Sequence, residues 1–383
     1  MRILYHHRTA AQDGMAIHIE ELISAFREEG HDVIIVAPTS EGSMSGFRLG
    51  SIVSGIRQLL PRVFSELLEV YYDRVAFRRL EKAYLAHKPD ILYERYNLFL
   101  SAGEKLKNRY GIPFVLEVNA PLAQERAAHG GLALRRLAES IEQRVWRSAD
   151  LILPVSTALA EQIKSVGVDS KRIQIVSNGV NQRIFHPRPV RPDLRETLGL
   201  TGRLVLGFSG YLRPWHGLDA IVEFIAEHGD LNVGLLILGD GPARKTVSKQ
   251  ASAAGVSDRV IFAGVIQRAH IAEYMNIFDI ALQPAVIPYA SPLKLFEYLA
   301  LGLPIVAPDM PNIREIVGDG DCALLFEPGD KASLNEALLK LCKDSTLRKK
   351  LAANATALID EKGYTWRDNA RRIAALTKPL LNN

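Results

Sequence analysis

Apolar runs of strand length alternate with amphipathic stretches along this chain, and the series occurs twice. The first series comprises residues 2–5, 32–37, 90–93, 113–118, 151–154 and 172–176. The second comprises 203–208, 235–238, 260–263, 280–283, 305–307 and 323–326. Strands separated by helices join in parallel through right-handed crossovers, with helices covering both sheet faces. This pattern predicts an α/β protein of two doubly wound, Rossmann-like domains. Between the series stands H-P-R-P-V-R-P-D at 186–193, polar and proline-rich, which reads as a linker. The expected organisation is a domain at 1–185, a linker at 186–200, a domain at 201–365 and a terminal helix at 366–383. In such sheets ligands sit at the carboxyl ends of the strands, so a cleft between two facing domains is the expected site.

Composition narrows the classes. A net charge of +4 on 383 residues makes no case for a nucleic-acid partner. Cys322 and Cys342 have no metal or redox spacing and suggest a reducing compartment. The chain opens on a strand without a signal-peptide core, and no apolar run approaches the roughly 20 residues that span a bilayer. A cytoplasmic protein is expected. The first strand-to-helix loop holds one glycine, Gly14, so the dinucleotide fingerprint is absent. Residues 43–87 are helical in composition, interrupted by Pro61, with Arg57, Arg62, Arg74, Arg78, Arg79 and Lys82 among apolar residues. A solvated helical face is the commoner use of such a segment; peripheral contact with the inner face of an anionic membrane is the other.

The stretch 291–309, S-P-L-K-L-F-E-Y-L-A-L-G-L-P-I-V-A-P-D, carries the strongest local signal. Ser291 suits an N-cap and Pro292 the first helical position, while Gly302 and Pro304 stop a helix of about three turns. The helix is apolar on most sides, yet Lys294 falls in its first turn and Glu297 near the same face. A lysine there meets the positive end of the helix dipole. A bound anion would reverse that penalty, because free backbone N–H groups and the ammonium would act together. The alternative is that Lys294 snorkels to solvent and pairs with Glu297.

Four motifs occur in order: S-N-G-V at 177–180, a glycine after the strand at 203–208, L-G-D-G-P at 238–242, and K-L-F-E-Y-L-A-L-G-L-P-I-V-A at 294–307. Together they resemble the retaining glycosyltransferases of family four, with the two-domain GT-B fold, from Met1 to about Trp366. The resemblance implies transfer of a sugar from a nucleotide-diphosphate sugar to a glycan, lipid-linked or small-molecule acceptor, with no metal and no cofactor. It implies a C-terminal helix returning to the N-terminal domain, which takes the acceptor. On the donor side, Glu297 would bind the ribose hydroxyls, and Ser291, Pro292 and Leu293 would offer backbone to the diphosphate. Gly14 would approach a donor phosphate, and backbone around Val265 would select the base.

Three departures mark this chain. Tyr289 stands where the family usually has a second glutamate. Gly210-Tyr211-Leu212-Arg213-Pro214-Trp215-His216-Gly217 replaces G-R-x-x-x-x-K-G, so the usual cations are missing. Arg213 and Lys294 are the candidates to stabilise the leaving diphosphate beside Gly210, with His216 adding a hydrogen bond or a charge. Asn119 occupies the place of a histidine near the reacting sugar, and asparagine cannot act as a base. Retaining members are thought to pass the acceptor proton to the departing phosphate, so that loss is tolerable. Glu94 either orients the acceptor or pairs with Arg95, and His18 either reaches the cleft or packs. Asp319-Gly320-Asp321 looks like a metal motif but falls at a turn. Two other readings stay open: a nucleotide-sugar 2-epimerase of the same fold, and a catalytically silent subunit.

Overall fold

Five strands of the first half pair in parallel: β1 (Arg2–His6), β2 (Asp32–Val36), β3 (Ile91–Arg95), β4 (Phe114–Val118) and β5 (Leu151–Pro154). Their order is β2-β1-β3-β4-β5. Every residue of β3 and β4 is buried, because helices cover both faces of a parallel sheet. Six strands of the second half form another parallel sheet: β6 (Leu204–Ser209), β7 (Val233–Leu238), β8 (Val260–Gly264), β9 (Ile280–Leu282), β10 (Ile305–Pro308) and β11 (Ala323–Phe326). Their order is β11-β10-β9-β6-β7-β8. The computed structural model describes residues 1–9, 14–38 and 61–381. These divide into two units, Met1–Ser177 with Ala370–Asn383, and Asn178–Asn369.

Each sheet has one topological switch point. In the first, the chain steps from β1 to β2 on one side and then to β3 on the other. In the second, it runs outward from β6 through β7 to β8 and then returns to β9. Loops leaving adjacent strands diverge there, and the crevice they open is the usual ligand position.

Three expectations change. Residues 172–176 form no sixth strand. Gln174 and Val176 donate to the Ile152 and Pro154 carbonyls of β5 and go no further. Gln174 and Ile175 stay exposed, so the segment lacks the two buried faces that a strand of this sheet has. Residues 186–200 are no linker, because a helix, Pro192–Thr197, packs them into the second unit. Leu200 lies in that unit's core, Leu194 and Leu198 pack on it, and Arg195 bonds Asp279 at 2.9 Å. The boundary falls at Ser177/Asn178, and just beyond it Val180 donates its backbone N–H to the Tyr364 carbonyl and accepts from the Trp366 N–H, which ties 178–180 into the second unit.

The helix Leu293–Ala300 is two turns long, and Leu295, Phe296, Tyr298 and Leu299 are fully buried. Each such side chain contributes about 1.5–3 kcal/mol of burial, which holds the helix start rigidly beside β6 and β9. The Tyr298 hydroxyl accepts from the Ser209 backbone N–H at 3.0 Å, tying the helix to the end of β6.

Candidate functional site

In the second unit the site is assembled at the β6/β9 switch point. Gly210 follows β6 with φ 137°, a conformation L side chains rarely adopt. A Cβ there would stand 3.3 Å from the Lys294 ammonium, which therefore lies against the Gly210 backbone. The L-G-D-G-P turn holds this loop in place. Leu212 donates to the Asp240 carbonyl at 3.0 Å, and a Cβ on Gly239 would fall 2.1 Å from the Gly210 oxygen. The motif therefore acts by close backbone approach.

Lys294 does not reach freely into solvent. Its side chain is half-buried, and its ammonium sits 3.9 Å from the centroid of the Phe208 ring, a cation–π contact. Burial pushes its pKa down to about 7, with Glu297 pulling in the opposite direction. His216 also lies against Phe208, its ring centroid 5.2 Å away. The Nδ1 of His216 accepts from the Arg213 backbone N–H at 3.2 Å, so the neutral ring carries its proton on Nε2. Burial first, then the charges of Lys294 and Arg213, lower the His216 pKa to about 3. His216 is thus a hydrogen-bond donor and supplies no charge. Arg213 is exposed, its guanidinium 4.7 Å from the Tyr211 ring and 5.3 Å from Trp215. Two aromatic faces orient it without an acidic partner among its described contacts.

The helix start departs from the expected cap. Ser291 does not cap: its hydroxyl accepts from the Asn178 backbone N–H at 3.1 Å, and its carbonyl accepts from the Asn178 amide at 2.5 Å. Pro292 flanks the helix, with no side-chain cap. The first N–H groups, those of Leu293 and Lys294, have no intrahelical partner. The S-N-G-V motif thus positions Ser291, and Asn312 secures the preceding loop by donating to the Ile287 and Ala290 carbonyls.

Glu297 does not pair with Lys294. Its carboxylate is held 3.1 Å from Arg268, whose guanidinium rests 5.0 Å from the Phe185 ring centroid. Val265, just after β8, is 81 % exposed, so that position offers backbone and an unpacked side chain. Asp319 accepts from the Leu325 backbone N–H at 2.9 Å and closes a turn. Among the described residues no group of three or more His, Cys, Asp or Glu side chains could hold a metal ion.

The first unit gathers a different set at the β1/β3 switch point. His6 and Glu94 are register partners, and their side chains meet at 2.6 Å, both fully buried. Glu94 therefore pairs with His6 rather than Arg95. Arg95 instead bonds its own register partner on β4, Glu117. Glu117 also accepts from the Tyr93 hydroxyl at 2.8 Å, from the Asn119 amide, and lies 3.1 Å from His18. Burial alone would raise its pKa, but His18 and Arg95 hold it well below the usual carboxylate range. Asn119 is half-buried just after β4, and its amide N–H donates to Glu117. Gly14 begins the helix Gly14–Glu28, and the loop before it lies outside the described residues.

Sequence reasoning passed over Glu117 and Arg268. A carboxylate inside the apolar run of β4 was the available signal for Glu117. A lone loop arginine gave none for Arg268.

Two family models match the chain: Glycosyltransferase Family 4 over residues 12–183 and Glycosyl transferases group 1 over residues 190–358. A D-inositol 3-phosphate glycosyltransferase of Thermomonospora curvata is 26% identical over 375 residues, covering 91% of this chain and 86% of that protein. A GDP-mannose-dependent alpha-mannosyltransferase of Mycobacterium tuberculosis is 25% identical, covering 92% and 89%. Among solved structures, sucrose-phosphate synthase of Thermosynechococcus elongatus superposes with a TM-score of 0.80 at 18% identity, covering 100% and 99%. Anabaena HepE in complex with UDP and glucose gives 0.73 at 19%, covering 99% and 100%. Two parallel α/β sheets, these neighbours and two consecutive family matches place the chain in one group: it belongs to the family four, group 1 glycosyltransferases of GT-B fold.

Proposed function

We propose that this glycosyltransferase is a retaining, metal-independent enzyme that takes its sugar from a nucleotide-diphosphate sugar, with the donor on the second unit. One observation carries the reading. The Lys294 ammonium, the Nε2–H of neutral His216 and the uncapped start of the helix Leu293–Ala300 gather at the β6/β9 switch point. Such a set of donors suits the charge that develops on a leaving diphosphate. Arg213, held by Tyr211 and Trp215, adds a second cation on the exposed side.

In this reading the bond from the sugar C1 to the phosphate oxygen breaks while one from C1 to the acceptor oxygen forms on the same face. The acceptor proton passes to the departing phosphate oxygen. Asn119 then binds a hydroxyl and moves no proton. Glu297 holds the ribose, and Lys294 stands in for the cation pair missing from the loop after β6. The activities named for the relatives favour a nucleotide-sugar donor and a glycan or small-molecule acceptor in bacterial biosynthesis.

A thermal-shift screen of uridine, guanosine and adenosine diphosphates and their sugars identifies the donor. Product analysis by nuclear magnetic resonance, with and without a chelator, then tests the chemistry. The expected product keeps the donor's anomeric configuration and forms at the same rate with chelator. An inverted product, or rate loss restored by a divalent ion, overturns the proposal. Epimerised donor without transfer would assign the chain to epimerase chemistry.

A further inference from the structure

The helix Arg62–His87 has its polarity reversed. A surface helix normally turns carboxylates to water and apolar side chains to the core. Here the acids point inward. Glu66 accepts from the backbone N–H groups of Ala133 and Leu134 at 2.9 and 2.6 Å, at the start of the helix Arg135–Ser148. Asp73 does the same for Ser101, ahead of the helix Ala102–Tyr110, and also binds Lys105. Glu69 takes a bidentate pair from Arg126, and Glu81 binds Arg109 and Tyr110. All four carboxylates of the helix are thus engaged by the protein.

The outer face is left apolar and cationic. Val63, Phe64, Leu67, Leu68 and Tyr71 are 42–57 % exposed, and Arg74, Arg78 and Lys82 are exposed beyond them. At 100° per residue these eight positions fall within an arc of about 140°. One stripe therefore runs from five large apolar side chains to three cations.

We propose that this stripe docks on an anionic lipid bilayer, with Phe64, Leu67, Leu68 and Tyr71 at the boundary of headgroups and acyl chains. Arg74, Arg78 and Lys82 meet lipid phosphates. Charge complementarity selects this occupant. An apolar protein groove would match the first half of the stripe but leave three cations facing it, whereas an anionic bilayer offers both apolar depth and negative charge. The inference does not rest on the donor reading, because the stripe shares no residue with the donor cluster.

The test uses the full chain in flotation with vesicles of phosphatidylcholine alone or with about one-third phosphatidylglycerol. Binding is expected only to the anionic vesicles and is expected to weaken in 0.5 M salt (a chosen high ionic strength, about 4 Å screening length). Leu67→Ser with Leu68→Ser should weaken it at least ~10-fold. Arg74→Gln with Arg78→Gln should weaken it and remove most of the salt dependence. All four positions are exposed, and unchanged melting and nucleotide binding show that the variants fold. Absence of vesicle binding overturns the proposal. So does vesicle binding that the substitutions leave intact, which moves the contact to another surface. Protection of the side chains of Phe64, Leu67, Leu68 and Tyr71 from hydroxyl-radical labelling without lipid also overturns it, because the stripe is then already covered by protein.

Discussion

The two sheets reverse strand order at equivalent places, β1/β3 and β6/β9, and the side chains gathered at the two points differ in kind. At β1/β3 each carboxylate already has a charged or ionisable partner, although the buried Oε1 of Glu94 accepts no hydrogen bond from the described residues. Glu94 meets His6, and Glu117 is shared among Arg95, His18, Tyr93 and Asn119. At β6/β9 the balance is open. Lys294 and Arg213 rest on aromatic rings, and the nearby carboxylate, Glu297, is held by Arg268. Burial lowers the Lys294 pKa to about 7 and outweighs the pull of Glu297, which is the shift expected of a desolvated ammonium that no paired carboxylate among the described residues neutralises. The first point is organised for fixed hydrogen-bonding geometry, the second for charge.

If that contrast is right, equivalent charge removals should be read out differently. Glu117→Gln leaves Arg95 buried without its counter-charge, and loss of one partner of a buried pair costs about 3–5 kcal/mol of stability. Urea unfolding should show that loss while nucleotide affinity stays unchanged. The depressed pKa of Glu117 gives its contribution a sign: it is present above the unfolded carboxylate value near ~4.3 and disappears as pH falls below it. A stability loss under about 1 kcal/mol would mean that Glu117 is not the hub of that cluster.

Lys294→Met should do the reverse, sparing stability and lowering kcat by about 10²–10³, or about 2.7–4 kcal/mol. The lowered amine pKa adds a second readout. Above about pH 7 the free lysine is partly neutral, and a bound diphosphate favours the ammonium, so binding at pH 8 should take up a proton. Calorimetry in buffers of differing ionisation enthalpy measures this, and the Met variant should take up none. Equal proton uptake by both proteins would remove Lys294 from the diphosphate site.

The smallest effect is expected at Arg268. It is partly exposed, with a side-chain accessibility of 31%, so its pair with Glu297 is discounted for screening. Arg268→Ala should weaken nucleotide binding by about 0.5–1 kcal/mol, or roughly 2–5-fold. Most of that loss should vanish when 2′,3′-dideoxy nucleotide replaces ribonucleotide, because Arg268 acts by orienting Glu297. Equal losses for the two ligands would make the arginine a general electrostatic contact.

The linear chain determined the parts whose physics is local. Apolar runs of strand length with helices between them specify parallel α/β sheets, and both sheets formed with strand boundaries within one or two residues of those read from the pattern. The exception, 172–176, has strand composition but no second face to bury. A lysine in the first turn of an apolar helix was legible as an anomaly of dipole and charge, and the anion proposed for it rests on that same anomaly. Tertiary structure alone decided the pairings, because these depend on which strands become neighbours. Glu94 finds His6 and Arg95 finds Glu117 only when β1, β3 and β4 lie side by side. Ser291 is drawn away from capping by Asn178, 113 residues earlier, and Arg268 reaches Glu297 across 29. The state of His216 is also a tertiary property. Its neighbours in sequence leave a charge or a hydrogen bond equally open, and burial against Phe208 beside Lys294 makes the ring neutral.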